Sequence, residues 1–131
     1  QEQVPDLKIV LEHVSGVTVN GELPSDEWMA NMRRVAEHVH TTVKVSALME
    51  NSVEQPAPMG AKYYRPALNA MWDIFGEDRL FYGSNWPVCE RAGSYARCIR
   101  TVRAYFAEKG TEATENFFWR NSQAVYGWKE R

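Results

Sequence analysis

Residues 80–87 read LFYGSNWP, an apolar run that passes directly into a glycine and ends at a proline. Leucine, phenylalanine and tyrosine in succession are typical of a short strand, and glycine and proline are typical of the chain leaving it. Gly83 permits a close approach of the backbone, Pro87 fixes the exit of the chain, and Trp86 offers a flat aromatic surface to an organic ligand. The segment therefore predicts a strand at residues 79–83 with a loop of functional interest after it.

Two further runs upstream have the composition of strands. Residues 7–13 (LKIVLEH) place apolar side chains at both odd and even positions, as a strand covered on two faces does. Residues 41–48 (TTVKVSAL) are rich in β-branched side chains and pass into a long loop that contains two prolines and a glycine. Strands at 7–13, 41–48 and 79–83 indicate a parallel sheet.

A helix is predicted after each strand from capping and breaking residues. The helices are expected to begin near Ser25, Pro66, Ser94 and Thr111, and the last to end near Tyr126. The order β, α, β, α, β, α, α is that of parallel α/β proteins. Three βα units fit either a small open α/β sheet or part of a (β/α)₈ barrel, which takes about 250 residues when complete. The pattern alone leaves both architectures open.

Composition limits the class of protein. The 131 residues are 44% hydrophobic, which suffices for one core, so a single domain spanning residues 1–131 is predicted. Fifteen basic and 17 acidic residues are interspersed and give a net charge of −2, which argues against a nucleic-acid partner. No apolar stretch approaches the ~20 residues that cross a bilayer, and the N-terminus lacks a signal peptide, so no membrane partner and a cytoplasmic location are expected.

Two details of the chain carry further expectations. Cys89 and Cys98 are the two cysteines, and two free thiols are expected in a chain too large to need a disulfide framework. The chain starts without a methionine and a strand follows almost at once, which suggests a fragment or a processed chain.

Polar residues follow or end each predicted strand. His13 ends the first strand, Lys44 and Ser46 lie in the second, and Asn85 and Trp86 follow the third. Because the carboxyl ends of parallel strands meet at one edge, these side chains are expected to converge there. His13 can bind a metal or act as acid or base, and Lys44 can hold an anionic group or a developing oxyanion. A structural histidine and an ion-paired lysine are the alternatives.

Other chemically active residues are expected to lie elsewhere. His38 and His40 form a His-x-His pair, but they fall between a helix and a strand and hence at the opposite edge, together with Arg79. Glu50 and Glu54 lie in the long loop and are expected to be solvated.

Four segments resemble the amidohydrolase-related family of lactonases and decarboxylases. They are residues 9–13 (IVLEH), 43–46 (VKVS), 79–88 (RLFYGSNWPV) and 121–126 (NSQAVY), in the order and approximate spacing of that family. The resemblance implies that the chain is the C-terminal portion of a TIM-type (β/α)₈ barrel, with about three βα units.

The resemblance also implies roles for single residues. His13 corresponds to a strand-end histidine that is catalytic or binds a divalent metal, Zn or Mn. Asn85 stands where the family has an aspartate that accepts a proton from the attacking water. A neutral amide cannot act as that base, so Asn85 is expected to position the water or the substrate. Lys44 and Ser46 match a strand pattern of the family, and together with Trp86 they are expected to bind the substrate. The family's early His-x-His strand is absent from this chain.

The expected function is hydrolysis of a lactone, ester or amide bond of a small organic acid by activated water, and decarboxylation stays open. The alternative is a non-catalytic α/β module for assembly or ligand binding, which the neutral Asn85 favours. Three strands of a closed barrel leave two open edges, so the chain is expected to need further strands or self-association.

Overall fold

The computed structural model describes residue 4 and residues 6–129. Its three strands are β1 (Ile9–Leu11), β2 (Thr41–Val45) and β3 (Leu80–Tyr82), and they form one parallel sheet in the order β1-β2-β3. All three predicted strands are therefore present and parallel. β1 and β3 are shorter than predicted at both ends, and β2 is shorter at its carboxyl end.

Helices follow the strands as predicted, with different bounds. Ser25 caps the first helix through a 3.2 Å hydrogen bond from the Trp28 amide to its hydroxyl. The second helix was expected to begin near Pro66, but it begins at Ala61. The additional first turn contains Tyr64, whose side chain is fully buried in the core. The helices are α1 (Asp26–Ala36), α2 (Ala61–Phe75), α3 (Tyr95–Ala107), α4 (Thr111–Glu115) and α5 (Asn121–Tyr126), with a π-helical segment, Asn116–Arg120, between the last two.

The two faces of the sheet have different neighbours. Val43 and Val45 of β2 and Leu80 of β3 lie in the main apolar core, together with Leu68 and other side chains of the helices. Residues of the opposite parity form the second face, where Lys44 lies beside Phe81 in the strand register. Tyr126 at the end of α5 contacts Phe81 edge to face, with the ring centroids 5.7 Å apart. The second face is thus partly covered by the chain's own last helix.

Side-chain hydrogen bonds close the amino end of the sheet. Arg79 donates to the Ala36 carbonyl at 2.7 Å and to the Phe75 carbonyl at 3.0 Å, at the carboxyl ends of two helices where a positive charge is favoured. Asn121 is 7% exposed and donates to the carbonyls of Glu77 and Leu80, both at 2.8 Å. These bonds fix where β3 begins. The loops that follow the strands lie at the opposite, carboxyl end of the sheet.

Both cysteines are free and buried, as expected. Burial is the main cause that raises the pKa of the Cys89 thiol, and it raises that of Cys98 to about 11. Both thiols are therefore protonated near neutral pH and are poor nucleophiles. Among the described residues, no helix has the length and apolar character that a membrane span requires.

Candidate active site at the carboxyl ends of the strands

Backbone strain is concentrated where the three strands end. Non-glycine residues with a left-handed backbone are uncommon. In the part of the chain that is described, they all lie in the segments that directly follow the three strands, which we call the strand exits. They are His13 (φ 53°), Val14 (φ 47°) and Ser15 (φ 54°) after β1, Ala47 (φ 54°) after β2, and Asn85 (φ 53°) after β3. Such conformations cost about 1–3 kcal/mol each and cluster at functional sites. The strain therefore marks this end of the sheet.

His13 is held by the end of β2. Its Nδ1 lies 2.9 Å from the Ser46 hydroxyl, and its backbone N–H donates to the same oxygen at 3.2 Å. Asn51 donates to the His13 carbonyl at 3.3 Å. These contacts fix the ring and occupy Nδ1, whereas Nε2 has no hydrogen-bond partner among the described residues. Nε2 is thus the nitrogen that can meet a ligand.

Lys44 and Glu12 form an ion pair at the same edge. The Nζ–Oε1 distance is 2.8 Å, and the side chains are 24% and 49% exposed. Partial burial alone would lower the pKa of Lys44, but the bonds to Glu12 and the nearby Tyr126 raise it above its ordinary value. The ammonium also lies 5.8 Å and 5.6 Å from the ring centroids of Phe81 and Tyr126. Lys44 is therefore both ion-paired and charged, on the face away from the helical core.

Because residue 83 is a glycine, the chain that follows β3 can pass close to Lys44 and Ser46. A Cβ atom at this position would lie 2.7 Å from Lys44 Cδ and 2.9 Å from Ser46 Cβ, closer than atoms can pack. The predicted close backbone approach is thus present. It brings residues 84 and 85 next to the end of β2.

Asn85 forms a hydrogen bond with Glu50. The position of Glu50 in a long loop did not predict that it belongs to the site. The Asn85 amide nitrogen donates to Glu50 Oε1 at 2.7 Å, and both side chains are half-buried. The prediction that Glu50 is solvated is therefore wrong, whereas Glu54 is exposed as expected. No signal in the sequence separates the two glutamates, because the contact joins residues 35 positions apart.

Trp86 is exposed at the rim of the site, whereas His38 and His40 lie away from it. Trp86 is 66% exposed, and its backbone N–H donates to the Ser84 hydroxyl at 3.2 Å. Its ring is available to a ligand at the rim. His38 and His40 are exposed and lie before β2, away from the strand ends, so the structure does not bring them to His13.

A metal centre is not formed by these side chains alone. Catalytic metal sites use three or more protein ligands. In the described part of the chain, no group of three or more His, Cys, Asp or Glu side chains is arranged to hold an ion. His13 is the one imidazole at the strand ends among those residues, and its Nδ1 is already bound by Ser46.

Two curated relatives of this chain are lactonases. The L-fucono-1,5-lactonase of Burkholderia multivorans is 26% identical over 95% of this chain and 47% of its own length. The L-fucono-1,5-lactonase of Burkholderia ambifaria is 31% identical over 70% of this chain and 30% of its own length. The chain therefore spans about half of the length of the first relative and less of the second.

A solved structure identifies the architecture. An amidohydrolase from Burkholderia multivorans with bound zinc superposes with a TM-score of 0.82 at 22% identity, over 98% of this chain and 46% of that one. The three βα units are thus part of a TIM-type (β/α)₈ barrel, and the strand ends described above lie at its carboxyl-terminal rim. The profile of the amidohydrolase family matches residues 2–128, nearly the whole sequence, and the chain therefore belongs to that family.

Proposed function

We propose that this chain supplies part of the active site of a hydrolase that opens a lactone, ester or amide bond of a small organic acid. One observation carries the proposal: the left-handed non-glycine residues of the described chain all lie where the three strands end. His13 and Asn85 lie in the same segments, and Lys44 lies next to the last residue of β2. Strain of this kind is retained where it holds reactive groups in place.

A lactone is the favoured substrate class. Two of the curated relatives are named L-fucono-1,5-lactonase, which makes a cyclic ester of a sugar acid the first candidate for this protein. Trp86, with its exposed ring, suits the apolar face of a sugar ring or another flat organic group. Lys44 supplies a fixed positive charge for a carboxylate or for the oxygen that becomes negative during the reaction.

Hydrolysis by this set requires proton transfer at the rim. A water oxygen adds to the carbonyl carbon, and the ring oxygen must receive a proton when the C–O bond breaks. In this proposal His13 donates or accepts at Nε2, because Nδ1 is bound to Ser46. The described side chains do not fit a metal site, so no step is assigned to a metal here.

The test is a hydrolysis assay on the longest protein that the gene encodes. The substrates are a sugar-acid 1,5-lactone, an aromatic dicarboxylate lactone, a simple ester, and a carboxylic acid whose decarboxylation would release CO₂. Hydrolysis of a lactone is expected, with His13→Ala lowering kcat/KM by about 10²-fold or more. His38→Ala is the matched control, an exposed histidine away from the strand ends, and is expected to act like the unaltered protein.

Three other outcomes are informative. Absence of any turnover would remove the hydrolase proposal and leave the ligand-binding module in its place. CO₂ release without hydrolysis would assign a decarboxylase. A rate abolished by a chelator and restored by Zn²⁺ would show that ligands outside the described residues complete a metal site with His13.

A further inference from the structure

Two carboxylates are held by hydrogen bonds at the strand ends, and their partners differ. Glu12 is ion-paired with the ammonium of Lys44 at 2.8 Å. Glu50 accepts a 2.7 Å bond from the neutral amide of Asn85, and no cation lies within ion-pair distance of it among the described residues. A carboxylate bound by one neutral amide has further oxygen lone pairs free, so it can accept a proton.

Four groups interact electrostatically with the charge of Glu50, and they are hydroxyls and thiols. Burial is the main cause that raises the pKa of each, that of Cys98 to about 11, and the negative charge of Glu50 contributes. They therefore stay protonated and add no charge of their own beside the carboxylate. The nearby Arg97 donates to a backbone carbonyl of the long loop. The hydroxyls and thiols belong to Tyr64 on α2, Tyr82 on β3, and Cys89 and Cys98 near the start of α3.

Glu50 is tied to His13 through its own loop. The next residue, Asn51, donates its side-chain amide to the His13 carbonyl at 3.3 Å, and its backbone N–H donates to the Ala47 carbonyl at 3.0 Å. The turn that carries Glu50 is thus fixed to the exits of both β1 and β2, and the Asn85 bond fixes it to the exit of β3. A base must be held in this way to meet a bound substrate.

We propose that Glu50 is the general base of this site and that Asn85 is the residue that positions it. This assignment rests on the hydrolase function proposed above, and it gives the proton transfer to Glu50, so that His13 Nε2 acts as a hydrogen-bond partner of the reacting oxygen. The Glu50 carboxylate takes a proton from water while the water oxygen bonds to the carbonyl carbon. The ring C–O bond then breaks, and the proton passes from the Glu50 carboxyl group to the departing alkoxide oxygen. The product is a hydroxy acid, and Glu50 regains its charge.

The role of Asn85 follows from its conformation and its bond. Its left-handed backbone (φ 53°) is one that asparagine tolerates better than most residues, and it aims the amide at Glu50. An amide in this place orients the carboxylate without competing for the proton. The neutral side chain at position 85 is therefore compatible with catalysis.

The experiment uses Glu50→Gln, Glu54→Gln and the exchange variant Glu50→Gln/Asn85→Asp in the longest encoded protein. Glutamine can still accept the bond from Asn85 through Oε1, so Glu50→Gln removes the basic group with little change in shape. It is expected to lower kcat for lactone hydrolysis by about 10²–10⁴-fold. Glu54→Gln, an exposed glutamate of the same loop, is expected to change kcat by less than about twofold. Far-UV circular dichroism and melting temperature verify that each variant is folded.

The exchange variant tests the pairing itself. It moves the carboxylate to the other member of the pair, and kcat is expected to recover at least about tenfold over Glu50→Gln because a base is again present beside the same water. The single change Asn85→Asp places two carboxylates together, and the acidic limb of its kcat/KM profile is expected to move to higher pH, since one carboxylate then holds a proton.

The outcomes separate the two proposals. If the unaltered protein hydrolyses a lactone and Glu50→Gln keeps kcat within threefold, the base assignment is wrong and the hydrolase function stands. If Glu50→Gln is inactive but the exchange variant recovers nothing and the pH profile of Asn85→Asp is unchanged, the positioning role of Asn85 is wrong. If the unaltered protein hydrolyses nothing, the hydrolase function and the base assignment fall together.

Discussion

Replacing Gly83 with alanine tests whether the exit of β3 holds the site together. The added Cβ would lie 2.7 Å from Lys44 Cδ and 2.9 Å from Ser46 Cβ, whereas carbon atoms pack at about 3.5–4.0 Å. The stem of Lys44 can turn aside, but Ser46 is 2% exposed, and its Cβ is fixed to the backbone where β2 ends. Overpacking of this kind costs about 1–3 kcal/mol, so the free energy of unfolding is expected to fall by that amount. Turning Lys44 aside also separates it from Glu12.

Urea unfolding of the folded protein measures the stability change, and lactone hydrolysis measures the effect on the site. Gly93→Ala is the matched control, because the nearest atom to its added Cβ is Arg97 Cδ at 3.1 Å, a smaller overlap than at Gly83. Its unfolding free energy is expected to change by less than about 0.5 kcal/mol. Equal stability of the two variants, with unchanged kinetics for Gly83→Ala, would refute the close packing of β3 on Lys44 and Ser46.

Three further predictions concern charge, the amino end of the sheet, and assembly. Lys44→Met keeps the stem but removes the ammonium, so KM is expected to rise more for a carboxylate-bearing lactone than for a neutral one, whereas the exposed Lys62→Met should raise neither. Asn121→Ala strips two backbone carbonyls of their donor and is expected to lower the urea-unfolding free energy by about 2–4 kcal/mol, against less than about 0.5 for Gln123→Ala. The 131-residue chain expressed alone is expected to sediment as an oligomer, because β1 and β3 each pair on one side only among the described residues, and a monomer would contradict this.

Local patterns in the sequence predicted the elements of the fold well. The β-branched run at 41–48 and the apolar run at 80–82 became strands, and Ser25 caps α1 as its side chain suggested. The exits were predicted as well, because parallel strands must end at a common edge. The start of α2 was misplaced, since Pro66 suits a first turn, but the buried Tyr64 adds a turn before it.

The pairings within the site were outside the reach of local patterns. An ion-paired Lys44 was one of two interpretations, but its partner Glu12 lies 32 residues away and could not be chosen from the sequence. The Glu50 carboxylate and the Asn85 amide meet only because the exits of β2 and β3 are adjacent. Loop carboxylates are usually exposed to solvent. This rule failed for Glu50, because its tertiary contact with Asn85 partly buries it.

The central claim is that the carboxyl ends of β1, β2 and β3 bind the reacting molecule. Its most direct test is a crystal structure of the longest encoded protein with the hydroxy-acid product of lactone opening. The product is predicted to lie between His13 and Asn85, with its carboxylate at hydrogen-bond distance, about 2.7–3.2 Å, from Lys44 Nζ or His13 Nε2. Product bound at the opposite end, near His40 and Arg79, with none at the strand ends, would contradict the account.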